Sequence, residues 1–286
     1  MAYLEINSVS KSFVRAARKR SSEYQSLPVL RNIELAIREN EFVCIVGRSG
    51  SGKTTLISLI AGLLAPDSGE ILLEGKPIGG PGPDRGVVFQ NYSLLPWMTV
   101  FENVYLAVDA VAVDLPQPEK RLRAQYYIDL VNLGAALKKL PRELSGGMRQ
   151  RVCVARGLAM EPKVLLMDEP FSALDALTRG SLQEELARIW LETRKTVVMI
   201  TNDIDEAVLL ADTIYTLTAG KGATLSRAIS VTAAHPRSRM QLSAAVASQR
   251  ARRQTLQLLA GRPQEQASEG TLLVGAEGQN ERVFGT

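Results

Sequence analysis

The segment Gly47-Arg-Ser-Gly-Ser-Gly-Lys-Thr54 limits what this chain can fold into more than any other. It matches G-x-x-x-x-G-K-[ST], whose glycines let the backbone turn tightly enough for successive N–H groups to point inward at phosphate oxygens. An apolar run, Glu41 to Val46, precedes it, and Thr54 to Ala65 follows with helical spacing. Strand, glycine-rich loop and helix in that order open a parallel α/β sheet. The candidate phosphate-binding residues are Gly47, Arg48, Ser49, Gly50, Ser51, Gly52, Lys53, Thr54 and Thr55. Lys53 is suited to reach β- and γ-phosphates and the Thr54 hydroxyl to ligate Mg²⁺, while the helix start offers its positive end.

A second cluster fits the same chemistry. Val164-Leu-Leu-Met-Asp168-Glu169-Pro170 is an apolar strand that ends in two adjacent carboxylates. In a parallel sheet the carboxyl ends of strands face the ligand crevice. Asp168 is therefore a candidate Mg²⁺ ligand and Glu169 a candidate for polarising an attacking water. Adjacent carboxylates at a strand end are costly unless a cation lies nearby.

The remaining pattern is that of one α/β domain over residues 1–220. Leu4, Ile6 and Val9 alternate with polar residues as a strand, residues 14–26 read as a basic surface loop, and Ile33 to Ile37 as a second strand. Residues 104–143 read as largely helical, Ala176 to Arg194 as a helix, and Lys163–Asp168 and Thr196–Thr201 as buried parallel strands. Residues 221–286 read as a C-terminal extension, with a helix expected from Arg239 to Ala260 and a mobile end after it.

Charge separates the two parts. Residues 1–220 carry 25 basic and 26 acidic side chains, whereas 221–286 carry 9 and 4, and the whole chain has a net charge of +4. A neutral body argues against nucleic acid as a partner. Two cysteines, Cys44 and Cys153, and a single histidine, His235, exclude a disulfide framework and any histidine-based metal cluster or triad, and point to a reduced, intracellular setting. The start shows no leader pattern and no stretch is apolar enough to span a bilayer, so a membrane role is expected to be peripheral.

Leu144-Ser145-Gly146-Gly147-Met148-Arg149-Gln150-Arg151 resembles the signature motif of ABC-type ATPases. The resemblance covers the first 220 residues and implies a P-loop NTPase core, an N-terminal antiparallel β region and a helical subdomain over about 91–160. It also implies roles for further residues. Gln90 matches the family's glutamine loop and a third Mg²⁺ ligand, Asp175 the end of its D-loop, and Phe13 the aromatic that stacks on adenine. Ser145, Gly146 and Gly147 would act on the nucleotide held by a second ATP-binding subunit, the same chain or a related one. The family's usual histidine after the following strand is replaced by Asn202, which can donate an amide N–H to a γ-phosphate but cannot become cationic.

The same resemblance suggests what ATP and Mg²⁺ are used for. Leu94, Leu95, Trp97 and Met98 form an apolar group just after Gln90, suited to a groove that accepts a short helix from a membrane permease subunit. The segment from Gln90 to Val108 is similar to ATP-binding subunits of importers for nitrate, sulfonates and taurine, and most like the nitrate/nitrite type, with cyanate and bicarbonate members close by. The resemblance thus implies a peripheral ATPase, a translocase, on the cytoplasmic face of the inner membrane, served indirectly by an extracytoplasmic binding protein. The length leaves no room for the receptor-like domain fused to some nitrate-type ATPases. The alternatives are a sulfonate/taurine or cyanate/bicarbonate importer subunit, a soluble ABC ATPase outside transport, and a nucleotide-binding regulatory subunit. The basic extension, with Arg237, Arg239, Arg250, Arg252 and Arg253, reads either as a headgroup-facing patch or as a helix packed on the domain.

Overall fold

A computed structural model describes residues 2–16, 24–239, 242 and 245–260. Strands β3 (Phe42–Gly47), β6 (Arg85–Val88), β7 (Val164–Asp168), β8 (Thr196–Thr201) and β9 (Thr213–Leu217) share one sheet with the short edge strand β10 (Ile229–Ser230). Its order is β10-β9-β3-β8-β7-β6, parallel throughout except for β10. A second, antiparallel sheet of order β2-β1-β4-β5 uses β1 (Leu4–Ala16), β2 (Tyr24–Ile37), β4 (Ser68–Leu73) and β5 (Lys76–Pro77).

The central strands read as uninterrupted apolar runs because both of their faces are covered. Phe42, Cys44 and Val46 of β3 point into one core, and Val43 and Ile45 into the other. Leu165 and Met167 of β7 and Val197 and Met199 of β8 join the first core, and Val164, Leu166, Val198 and Ile200 the second. Each such side chain withdrawn from water contributes about 1.5–3 kcal/mol. The second core is closed by the antiparallel sheet and α1 (Lys53–Ile60). The first is closed by α2 (Val100–Val111), α3 (Gln117–Leu130), α4 (Gly146–Ala159), α5 (Ala176–Thr193) and α6 (Ile204–Leu210).

Several boundaries differ from the sequence reading. The expected loop 14–26 is strand at both ends, because β1 and β2 keep pairing through Val14–Ser26, Arg15–Gln25 and Ala16–Tyr24. Val14 and Ser26 are both exposed, so no alternation marks the pairing there; residues 17–23 lie outside the described set. The helix expected to reach Ala65 stops at Ile60, and Gly62 then takes φ 74°, where an added Cβ would lie 2.2 Å from the Gly80 oxygen. The loose end of the first strand is a bulge: Ser8 has φ 51° and the register shifts between Ile6 and Val9, which returns Val9 to the buried face.

After residue 220 the chain stays on the same sheet. β10 pairs with β9, Val231 joins the first core, and α7 (Val246–Leu259) contributes the buried Ala251. The expected helix from Arg239 to Ala260 is therefore described only as α7, with 240, 241, 243 and 244 outside the described residues, as is the expected mobile end, 261–286. Among the described residues no helix is long and apolar enough to cross a membrane.

Candidate active site

Parallel pairing sets the site. Val46 of β3 is level with Thr201 of β8, and Asp168 of β7 with Ile200 of β8. The carboxyl ends of three adjacent strands therefore share one sheet edge. Along it stand the loop from Gly47, the pair Asp168 and Glu169, and Asn202. Gln90, two residues past the end of β6, lies on the same edge.

The loop itself is shaped for phosphate. Gly52 has φ 98°, and a Cβ there would meet a Val29 methyl at 2.9 Å, so glycine is required on both counts. It hands the chain to α1, whose first turn has no capping side chain and no acidic residue, leaving its N–H groups free for an anion. Gly50, at φ 78°, faces open space, and the buried Ser51 Oγ has no hydrogen-bond partner among the described residues. Gly47, Ser51 and Lys53 are buried or nearly so, Gly52 and Thr55 half-buried, and Arg48, Ser49 and Thr54 exposed.

Lys53 is 4% exposed, and its Nζ donates to the Gly47 and Arg48 carbonyls at 2.9 and 3.1 Å. The same Nζ is 3.1 Å from Glu169 Oε1. The Thr54 hydroxyl donates to Asp168 Oδ1 at 3.4 Å. Burial raises the Asp168 carboxyl above its ordinary range; the Thr54 bond opposes this, and the neighbouring charge of Glu169 adds to it. A hydroxyl and a carboxylate, both hard oxygen donors, suit Mg²⁺ completed by phosphate oxygens. Glu169 has φ 43°, an uncommon left-handed backbone for a residue with a side chain, and its N–H donates to the Ile200 oxygen at 3.0 Å.

Gln90 is linked to this group through Ser172. Gln90 Nε2 donates to Ser172 Oγ at 3.2 Å, and Ser172 Oγ donates to the Glu169 carbonyl at 2.9 Å. Asp175 caps α5, accepting the Leu177 and Thr178 N–H groups at 3.1 and 3.0 Å, and the Thr178 bond leads in lowering its carboxyl pKa. Asn202 is exposed in the turn after β8. Phe13 is 41% exposed on β1, with Lys11 Nζ 5.9 Å from its ring centre.

Ser145 caps α4 through the Met148 N–H at 3.2 Å. It lines a surface hollow of about 290 Å³ with Gly147, Arg151, Thr178 and Ser181, and this hollow contains none of the phosphate-loop residues. The expected apolar group splits. Leu94 packs on the first core, Leu95 and Met98 are half-buried, and Trp97 is 70% exposed. Two residues further on, Thr99 lines an open depression of about 700 Å³ together with Phe101, Arg121, Leu122 and Leu137.

Three contributors were not singled out from the sequence. Asn103, buried on α2, accepts the Leu95 N–H and donates to the carbonyls of Leu95, Met98 and Thr99, which fixes the turn that presents Trp97. The Tyr92–Ser93 corner, at φ 63° and 48°, is held by Arg156, which donates to both carbonyls, and by Cys153 Sγ. Burial pushes that thiol up to about 12. Glu206, buried under the Asn202 turn, accepts from Thr201 Oγ1 and Gln183 Nε2 at 2.7 and 2.8 Å. A capping-type Thr99 with Glu102 was a legible signal on α2; the buried roles of Asn103 and Glu206 had none.

Comparison with known proteins agrees with this geometry. Residues 30–172 match a family model described as ABC transporter. The bicarbonate transport ATP-binding protein CmpC of Synechococcus elongatus is 51% identical over 240 residues, covering 84% of this chain and 35% of its own length. The nitrate import ATP-binding protein NrtC of the same organism is 54% identical over 213 residues, covering 74% of this chain and 32% of its own length. The chain thus spans about a third of those two relatives. The bicarbonate transport ATP-binding protein CmpD of Synechocystis sp. is 47% identical, covering 83% of this chain and 82% of its own length. Among solved structures, a dimeric post-hydrolysis state of the ATP-binding cassette MJ0796 bound to ADP and Pi has TM-score 0.67 and 31% identity over 81% of this chain and all of its own.

Proposed function

The chain belongs to the ABC transporter family, and from that premise we propose that it is the ATP-hydrolysing, energy-coupling subunit of an importer for nitrate or nitrite. The observation that carries the enzymatic part is the meeting of Lys53, Thr54, Asp168 and Glu169 at one sheet edge.

In this reading Lys53 and the amides of residues 48–54 hold the phosphates, and Phe13 stacks on the adenine. Thr54, Asp168 and Gln90 hold Mg²⁺, which when bound neutralises charge on the phosphate oxygens. Glu169 accepts a proton from the attacking water, and Asn202 donates to the γ-phosphate. The hollow at Ser145 and Gly147 contains none of the chain's own phosphate-loop residues, which supports its acting on the nucleotide of a second ATP-binding subunit; Asp175 is tied to its wall through the Thr178 N–H.

The exposed Trp97 and the apolar depression that starts at Thr99 support docking of a permease helix there, with Leu94 anchoring the turn from within. The subunit would then sit peripherally on the cytoplasmic face of the inner membrane, with an extracytoplasmic binding protein acting only through the permease. Relatives named for nitrate import and for bicarbonate transport support a small inorganic anion as cargo, and bicarbonate is the second reading.

Uptake of labelled nitrate and of labelled bicarbonate, in cells whose chromosomal copy carries Lys53→Ala, tests the proposal. Loss of nitrate uptake alone is the expected result. Loss of bicarbonate uptake alone selects the second reading, and full retention of both removes the nitrate and bicarbonate assignments and leaves the sulfonate and cyanate alternatives.

A further inference from the structure

The residues after 220 help to line an open cavity that contains none of the proposed nucleotide-site residues. Its volume is about 450 Å³, and it lies between the first turns of α5, α6 and α7. Three arginines face it from different elements: Arg179 on α5, Arg239 after β10, and Arg252 on α7. Arg179 Nη2 donates to the Leu174 carbonyl at 2.9 Å, but its buried Nε has no partner among the described residues. Arg239 uses Nε and Nη2 on Gln183 Oε1, at 3.2 and 2.5 Å, and its guanidinium lies against Gly180. Among the described residues these bonds do not use all the N–H donors of either guanidinium, which carries five.

Two carboxylates share the lining, and both are engaged. Asp203 caps α6 through the Asp205 and Glu206 N–H groups, and Asp205 pairs with Arg252 Nε at 2.6 Å. The first turn of α7 supplies Ser248 to the wall; that helix has neither a capping side chain nor an acidic residue in its first turn. No acidic residue occurs anywhere in 221–264. The cavity therefore gathers separated guanidinium donors and a helix N-terminus, and its acids are already satisfied. A single small ion would leave most of that volume unfilled.

We propose that this cavity binds an organic or phosphorylated polyanion of metabolite size, held by Arg179, Arg239 and Arg252. Occupancy would be felt at the nucleotide edge through a short chain of bonds. Arg239 donates to Gln183, Gln183 and Thr201 both donate to Glu206, and Thr201 immediately precedes Asn202. The binding claim stands apart from the proposed function, and only its effect on turnover rests on that reading.

Isothermal titration calorimetry on the full chain tests it, with citrate and inorganic pyrophosphate as the two probes and saturating Mg-ADP keeping the phosphate loop filled. One site per chain for at least one probe is expected, with citrate alone indicating carboxylates and pyrophosphate alone indicating phosphates. Arg239→Gln and Arg252→Gln should each weaken that binding about tenfold, the loss expected for one charge-assisted hydrogen bond. Arg252 is exposed, so its variant does not depend on core packing. No heat from either probe, or equal affinity in the wild type and both variants, overturns the proposal. Failure of ADP itself to bind would instead count against the nucleotide reading, so the two failures are told apart.

Discussion

Lys53 Nζ stands 3.1 Å from Glu169 Oε1, so the cation proposed to grip phosphate and the carboxylate proposed to activate water are paired with each other. A γ-phosphate arriving there competes with Glu169 for Lys53 and meets a like charge at short range. Glu169→Gln removes that charge while keeping the shape of the site. Its ATP affinity should rise by about tenfold over wild type, measured by equilibrium dialysis without turnover. Unchanged affinity would mean that the pair does not oppose ATP binding.

Asn202 is proposed to touch only the γ-phosphate. Asn202→Ala should therefore lower the hydrolysis rate by roughly tenfold to a hundredfold while leaving ADP affinity unchanged. An equal loss in ADP binding would place Asn202 in general nucleotide binding instead.

Arg237, one of the five basic residues of the extension, is 5% exposed and donates to the carbonyls of Val208, Ala211, Val231 and Ala233. It closes the C-terminal end of α6 and ties the extension to it. Arg237→Met should cost about 2–4 kcal/mol, because those carbonyls lose a buried partner. Arg252→Met, at the surface, should cost less than about 1 kcal/mol. Urea midpoints of the two variants make the comparison.

Asp212 gives a pH dependence. Burial works against its charge, but hydrogen bonds from His235 and the Phe42 N–H, together with nearby positive charge, hold its carboxyl below the ordinary range. A depressed folded pKa means that the ionised group stabilises at neutral pH and that this contribution is lost as pH falls through the folded value. Asp212→Asn should lower the urea midpoint near neutrality and flatten its decline in acid. A variant curve parallel to wild type would contradict this.

Trp97 has most of its surface in solvent, so Trp97→Ala should change stability by less than about 0.5 kcal/mol and leave the ATPase of the isolated subunit unaltered. Co-purification with the permease should fail, because a large exposed aromatic anchors such interfaces.

The parallel sheet and its ligand edge were legible because β3, β7 and β8 are apolar on both faces and end in the residues that carry the chemistry. The far ends of β1 and β2 were not, since Val14 pairs with Ser26 while both side chains are exposed, which leaves no apolar rhythm to read. Lys53, Thr54, Asp168 and Glu169 could be placed together from spacing and strand order. Arg156 and Arg237 could not, because each acts on a turn or helix end distant in sequence, and Asn103 and Glu206 could not, because a polar residue in a helical pattern reads as solvent-facing although both are buried. An arginine that closes a helix reads in sequence like one that faces water.

The central claim is that Glu169 drives hydrolysis of a nucleotide held by Lys53. It is tested most directly by the rate of phosphate release from ATP by purified wild type and Glu169→Gln at saturating nucleotide. The variant should bind ATP and turn over at least about a hundredfold more slowly, the usual contribution of a general base. Turnover equal to wild type, with ATP bound, would contradict the account.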